Sequence, residues 1–494
     1  MNPQIRRLFF VLVALFVALV AMSTWWLWKA PDLEARRGNP NLFVRQLTIE
    51  RGLIYASDGK TVFAKNRAVR KKNIGRTWYL RVYPRADLVA HPVGYSTIER
   101  SRTGVEEALN DYLTGSNANL DTVLDNALDK LRGITQQGND VVTTIDVRAQ
   151  QVAMNALAGK CGAAVAIEPS TGRVLVLASQ PSYDPNLVEG HFNQILHTKA
   201  SCGSASPLLD RATQAGYIPG SSFKVVTAAA ALDSGRFTPS SRFNDPGYCI
   251  EYGKKVLNFA DQSGPEVFGN VSFSEALQHS INAVFCNVGK VLGANLILDY
   301  AQRFGFYAQP PIDLPSTEVK PSGLYNKGRL FLPKDENEVD PGRLAFGQER
   351  LQVTPLQMAL VAAGVANDGV VMRPTLVDRI VAPDGKVIQR TDPKQWKEAI
   401  KPQTAAELTA MMESVVEAGT GTAAQIPGVA VAGKTGTAET GVQGQNDTWF
   451  IAFAPADHPR VALAVALSNQ SGTGGETAAP IAKQIMEALL QRRP

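Results

Sequence analysis

The chain has 494 residues, enough for two or three domains, and its 45% hydrophobic and 19% charged residues make a globular composition that excludes a disordered chain. A formal charge of +5 gives no reason to expect nucleic acid as a partner. The five histidines form no His-x-x-x-His pair and the four cysteines lack ligand spacing, so no metal site is expected.

At the N-terminus, Leu8 to Trp28 gives 21 uncharged residues between Arg6-Arg7 and Lys29. About 20 apolar residues cross a bilayer as a helix. Trp25, Trp26 and Trp28 stand where an interfacial aromatic belt would lie. A cleaved signal peptide would have a shorter apolar core, and only "ALVAM" offers a weak cleavage site. The length and the tryptophans favour a retained anchor. Basic residues stay on the cytoplasmic side, so residues 1–7 are read as a cytoplasmic tail, 8–28 as the span, and the remainder as extracytoplasmic. There, Cys161, Cys202, Cys249 and Cys286 can form disulfides in three connectivities, and buried free thiols fit equally well.

After the anchor, "LTIERGLIYASDGKTVFAKN" alternates like β structure broken by a turn at Asp58-Gly59. The basic run "RAVRKKNIGR" (67–76) reads as a solvated face, with contact to anionic lipid or polymer as the rival reading. "STIERSRTGVEEALNDYLTG" reads as a helix closing on Gly115. A domain boundary falls near Gly138, before a strand and amphipathic helix in "NDVVTTIDVRAQQVAMNAL". "GAAVAIEPSTGRVLVLAS" is a strand pair turning at Pro169 to Gly172. Helical patterns follow in "SFKVVTAAAALDSGR", "SFSEALQHSINAVFCNVGKVLG" and "TPLQMALVAAGVAND". Strand-length apolar runs return in "VAVAGKTGTAET", "DTWFIAFAPA" and "RVALAVALSNQ", before a last helix in "AAPIAKQIMEALLQRR". Helices between early and late strands predict an α+β fold with a mostly antiparallel sheet.

Three short motifs lie along this frame. In "GSSFKVV", Ser221 and Lys224 are three residues apart, so a helix would turn both to one side, whereas Ser222 would face Val225. A serine hydroxyl needs an adjacent base, and a lysine serves if its pKa is lowered. Taken singly, the motif is no more than a helix N-cap. Ser280-Ile281-Asn282 alone says little. Lys434-Thr435-Gly436-Thr437 opens an apolar strand, and a glycine there marks close approach of another backbone or a ligand. Ser-x-x-Lys, Ser-x-Asn and Lys-Thr-Gly in this order match the triplet of serine acyltransferases that react with β-lactams.

On these motifs the chain resembles the penicillin-binding proteins, and among them the class B monofunctional peptidoglycan D,D-transpeptidases. The resemblance extends through "RGLIYASDG", "TGVEEALNDYLTG", "IEPSTGRVLVLASQPSYDPN", "LAFGQERLQVTPLQMALVAAGVANDG" and "EAGTGTAA". The short tail and "SPLLDRATQAGYIPGSSFK" look most like the actinobacterial penicillin-binding protein A group. The chain departs from the pattern at Ser222, where threonine is frequent, at Ile281, and at Asp447-Thr448, where a histidine often precedes Trp-Phe.

The resemblance implies residues 29–138 as a small, β-rich, non-catalytic pedestal or dimerisation domain and 139–494 as the transpeptidase domain. It implies stem peptides ending in D-Ala-D-Ala as substrate, β-lactams as acylating ligands, no cofactor, and a membrane-embedded glycan polymerase as partner. Ser221 is then the nucleophile and Lys224 its base, kept partly neutral by the nearby Lys434. Ser280 relays the proton, Asn282 binds the substrate amide or orients Lys224, and the backbone N–H groups of Ser221 and Thr437 form the oxyanion hole. Lys434, Thr435 and Thr437, with Gly436 between the threonines, hold the substrate carboxylate. His279 is structural. A β-lactamase-like hydrolase and a catalytically silent β-lactam-binding scaffold are the rival readings. A bifunctional glycosyltransferase is excluded by the short stretch between anchor and transpeptidase motifs.

Overall fold

The computed structural model describes residues 3–34, 47–71, 76–116, 137–198, 200, 202, 206–261, 264–440 and 444–491. Helix α1 (Pro3–Glu34) contains the apolar run. Its stretch Pro3–Trp26 is long and apolar enough to cross a membrane and is wholly exposed. Trp25 and Trp26 are exposed and meet edge to face at 5.0 Å. The Trp28 side chain, and residues 72–75 of the basic run, lie outside the described residues.

The main elements then follow in chain order: β1 (Ile54–Tyr55), β2 (Val62–Lys71), β3 (Arg76–Val82), β4 (Asp140–Thr143), β5 (Gly162–Ile167) and β6 (Val174–Gln180). Next come α2 (Lys224–Asp233), α3 (Phe273–Gln278), α4 (Asn282–Leu292) and α5 (Pro355–Ala366). The chain ends with β7 (Val377–Val381), β8 (Val387–Arg390), α6 (Pro402–Ala418), β9 (Ala432–Glu439), β10 (Asn446–Ala454), β11 (Val461–Gln470) and α7 (Ala479–Leu490).

One sheet has the order β9-β10-β11-β5-β6 and is antiparallel throughout. All residues of β5, and Val461 to Leu467 of β11, are buried, so both faces of this sheet are covered. α5 and α7 each pack against β10 and β11. α5 is apolar around its whole circumference, which suits a helix buried on every side. Thr354 caps it by accepting from Gln357 N at 3.2 Å, with Pro355 at the first helical position. The fold is the α+β arrangement expected from the order of helical and strand patterns.

A second sheet has the order β8-β7-β4-β1-β2-β3. Here β4 pairs parallel with β1 (Ile54↔Val141) and antiparallel with β7 (Ile380↔Val141). Residues on both sides of position 138 therefore share one sheet.

Two expected helices are corrected. Residues 96–115 begin instead as a hairpin, Ser96–Thr97 with Ser101–Arg102, turned at Ser101 with φ +64°. Two short helices, Gly104–Ala108 and Asn110–Leu113, follow before Gly115 at φ +65°. The pattern of residues 272–293 is likewise split into α3 and α4 around Ser280.

The disulfides are Cys161–Cys202 and Cys249–Cys286, with Cα–Cα distances of 5.8 and 6.4 Å. The second ties a hairpin, Tyr248–Glu251 with Lys254–Leu257, to α4.

Below the first hairpin, the Glu106 carboxylate is buried and shared by two arginines. Arg51 Nη2 donates to it at 2.8 Å and Arg81 Nε at 2.6 Å. Burial would raise the Glu106 pKa, but Arg81 and Arg51 more than offset this and hold it below the usual range. Glu106→Gln strands two buried guanidinium groups. The expected loss is about 3–5 kcal/mol of unfolding free energy, measured by denaturant titration.

Candidate active site

The first site element is a turn. Gly220 takes φ +50°, and Gly220–Phe223 forms a single 3-10 turn that runs into α2. The sequence reading had the α-helix begin at the serines. A 3-10 turn eclipses residues three apart, so Ser221 and Lys224 still share one side. Ser222 is buried and donates its hydroxyl to Pro219 O at 2.8 Å, whereas Ser221 is half-exposed.

Lys224 and Lys434 are both completely buried. Lys224 Nζ donates to Ser280 O at 2.5 Å and to Asn282 Oδ1 at 2.8 Å, and lies 3.3 Å from Ser280 Oγ. Lys434 Nζ donates to the same Ser280 Oγ at 2.9 Å and to Thr435 O at 3.0 Å. Burial pushes the Lys224 amine well below the ordinary ammonium value, and the neighbouring Lys434 pushes it further. Of the two causes that can lower a lysine, burial is thus the larger here and the nearby Lys434 the smaller. Burial alone lowers Lys434 to about 7. A neutral amine has two N–H bonds and one lone pair. Ser280 O and Asn282 Oδ1 occupy both N–H bonds of Lys224, which leaves its lone pair for a hydroxyl proton.

Ser280 sits between α3 and α4 with φ +59°, a conformation uncommon for a residue with a side chain. Ile281 begins α4 in extended geometry and supplies no side-chain cap. Asn258 supplies it from the neighbouring loop. Its Oδ1 accepts from Ala283 N at 2.9 Å, while its Nδ2 donates to Asp245 Oδ2 at 2.8 Å and Glu266 O at 2.9 Å. Asn282 Nδ2 donates to Leu257 O at 3.1 Å, which turns Asn282 Oδ1 towards Lys224. Asn258→Ala leaves the Ala283 N–H buried without a partner. We expect a loss of about 1–3 kcal/mol in stability, with β-lactam acylation slowed roughly tenfold, the factor that 1.4 kcal/mol at the barrier would give. Thermal melts and stopped-flow acylation measure the two effects.

The last site element is β9, at the edge of its sheet. A Cβ on Gly436 would stand 2.8 Å from Pro219 O and 3.0 Å from Ser222 N. Only glycine allows β9 to lie this close to the turn Gly220–Phe223, the close approach that a glycine in a strand marks. Thr435 Oγ1 pairs with Thr420 Oγ1 at 2.6 Å, and Thr437 Oγ1 accepts from Gly474 N at 3.1 Å. Both hydroxyls thus have internal partners and keep part of their hydrogen-bonding capacity for a ligand. Thr420, in "EAGTGTAA", carries no chemical signal in the sequence and joins the site through its contact with Thr435. His279 stacks on Phe268 at 5.1 Å, away from this cluster. Asp447 is buried and raised to about 6 by burial, while two residues on, Trp449 Nε1 donates to Ile218 O at 2.9 Å and fixes the approach to the turn.

The five residues expected to be catalytic thus divide into the turn bearing Ser221 and Lys224, the α3–α4 junction bearing Ser280 and Asn282, and β9 bearing Lys434. Lys224 contacts Ser280 and Asn282, and Ser280 contacts Lys434.

Residues 162–487 match the penicillin binding protein transpeptidase domain, and residues 51–141 the penicillin binding protein A dimerisation domain. The chain is 36% identical to the peptidoglycan D,D-transpeptidase PbpA of Mycolicibacterium smegmatis over 99% of both chains. It is 35% identical to the protein of the same name from Mycobacterium tuberculosis over 100% of both. The structure of M. tuberculosis penicillin-binding protein A as its ceftriaxone acyl-enzyme superposes with a TM-score of 0.79 at 34% identity, covering 91% of this chain and 100% of that one. Its penicillin G acyl-enzyme superposes at 0.74 with 35% identity, covering 90% and 100%.

Proposed function

This chain belongs to the penicillin-binding protein transpeptidases, and from that premise we propose how its site works. It is a peptidoglycan D,D-transpeptidase that β-lactams acylate. Ser221 Oγ attacks the carbonyl carbon of the penultimate D-Ala of a stem peptide, and the Lys224 lone pair takes the hydroxyl proton. The peptide C–N bond breaks, and the departing D-Ala amine receives a proton from Lys224 by way of the Ser280 hydroxyl. An ester on Ser221 remains. The amine of a neighbouring stem attacks that ester, gives up its proton by the same route, and leaves as the new amide while Ser221 is restored.

The N–H groups of Ser221 and Thr437 stabilise the oxyanion. Lys434, with the hydroxyls of Thr435 and Thr437, holds the terminal carboxylate, and Gly436 keeps β9 close enough to do so. Asn282 orients Lys224. The observation that carries this assignment is the Ser280 hydroxyl lying 2.9 Å from one buried amine and 3.3 Å from the other.

Residues 139–494 form the transpeptidase domain and 29–138 a non-catalytic domain that engages a membrane glycan polymerase. α1 is the single-pass anchor, with residues 1–7 cytoplasmic and the catalytic part on the outer side.

The test is a donor pentapeptide ending in D-Ala-D-Ala, mixed with an amine acceptor and read by mass spectrometry. Release of D-Ala with formation of the cross-linked amide is expected. Hydrolysis of β-lactams with no cross-link would favour the hydrolase reading. A drug adduct without any peptide turnover would favour the scaffold.

A further inference from the structure

Away from the catalytic cluster, a cavity of about 370 Å³ lies where β2 and β3, the hairpin 96–102 and residues 185–191 meet. Arg51, Arg67, Arg81 and Arg102 line it, together with Tyr79 and Ile98. Glu106, Glu107 and Asp111 supply counter-charge to Arg102 without lining the cavity. The Glu106 carboxylate is completely buried and already serves both Arg51 and Arg81. The one lining carboxylate, Glu189, is engaged by the backbone N–H of Ile98 at 2.9 Å and of Glu99 at 3.4 Å.

Arg51 Nε and Arg81 Nη2 are buried and have no hydrogen-bond partner among the described residues. Their side chains are 4% and 2% exposed. Burial, and next the charge of Arg51, lower Arg102 to about 10. Burying guanidinium groups beside one another is unfavourable unless anionic charge joins them. The planar guanidinium fork fits the oxygens of a phosphate. The volume lies within the range of small-molecule sites and exceeds what an inorganic ion needs. Arg67, exposed on β2, opens the basic run whose reading as a lipid or polymer contact the catalytic function leaves unused.

We propose that this cavity binds a phosphate group, carried either by an anionic lipid headgroup or by a soluble phosphate compound. Arg51 and Arg81 form its floor, Arg102 its wall and Arg67 its mouth.

The experiment uses the full-length protein in an uncharged detergent. Inorganic diphosphate is titrated by calorimetry and thermal shift against chloride of equal ionic strength. In parallel, the protein is reconstituted through α1 into phosphatidylcholine nanodiscs with and without phosphatidylglycerol, and its thermal shift is compared. Arg102→Gln and Arg67→Gln are compared with the parent; Arg67 is exposed, so its replacement cannot disturb the core. Benzylpenicillin acylation reports that each variant is folded, and its rate is expected to stay within about twofold. Saturable diphosphate binding, weakened at least tenfold in Arg102→Gln and severalfold in Arg67→Gln, supports the site and assigns it to a soluble phosphate. An equivalent loss seen only with phosphatidylglycerol assigns it to a lipid headgroup. Binding to neither probe, a response that chloride reproduces, or a response unchanged in both variants overturns the proposal.

Discussion

Incubated with benzylpenicillin, the full-length protein is expected to gain the mass of one drug molecule, and Ser221→Ala none. The Ser221 hydroxyl is partly exposed and shares one side of a tight turn with the Lys224 amine. Ser222, one residue away, is buried and committed to Pro219 O, so it cannot substitute. The turn holds its shape through Gly220, Gly436 and the Trp449–Ile218 hydrogen bond, none of which needs the Ser221 oxygen. Ser221→Ala should therefore fold normally, with an unchanged melting temperature, while turnover falls on the order of 10⁶-fold, as for loss of a nucleophile in other acyl transferases. An adduct that persists in Ser221→Ala would move the chemistry to another residue.

Lys224→Arg should slow acylation by about 10²–10⁴-fold, the contribution of a general base. Arginine keeps a positive charge and the reach of the side chain, but it does not deprotonate in a protein. A merely structural or carboxylate-binding role for Lys224 would tolerate it better. The pH dependence gives a second readout. With Lys224 as the proposed base, the parent's acylation rate should rise with pH through the titration of Lys224, which lies well below the ordinary lysine range. Lys434, in its proposed role as the cation that holds a carboxylate, is lowered to about 7 by burial. The profile of kcat/KM is thus expected to be bell-shaped, with one limb near 7. Stability has its own sign. Lys434 titrates near 7 when folded and near 10.5 when unfolded, so between these values the unfolded chain binds more protons. Stability therefore increases with pH across that window. Lys434→Met removes the desolvated amine and should raise the melting temperature at pH 6 while abolishing transpeptidation.

The central sheet was legible because its strands are apolar on both faces. "VALAVAL" and "GAAVAI" are continuous hydrophobic runs of strand length, and a run of that kind needs no tertiary information to be read. The motif serines and lysines were legible from order alone. The surroundings that make them reactive were not. Lys434 meets the Ser280 hydroxyl across 154 residues of chain, and the Asn258 cap reaches Ala283 from 25 residues away. The break at Ser280 was hidden because the residues around it carry a helical pattern on both sides, and the positive φ at Ser280 with the extended Ile281 separates α3 from α4. The hairpin at Ser96–Arg102 was missed for the opposite reason: two-residue strands are too short for any periodicity to mark them.

The six-stranded sheet bears on where this protein may be trimmed. β4 lies between β1 and β7, with Ile54 and Val141 facing each other from opposite sides of position 138. A fragment that starts after residue 138 would keep β4 but lose its β1 neighbour. It would then present a bare row of N–H and C=O groups beside Val141 and Val142, both buried in the intact chain. An unguarded strand edge of this kind templates self-association. A fragment that keeps residues 47–116 in place ought to stay monodisperse, whereas one beginning at Asn139 ought to aggregate even though it retains every residue of the catalytic cluster.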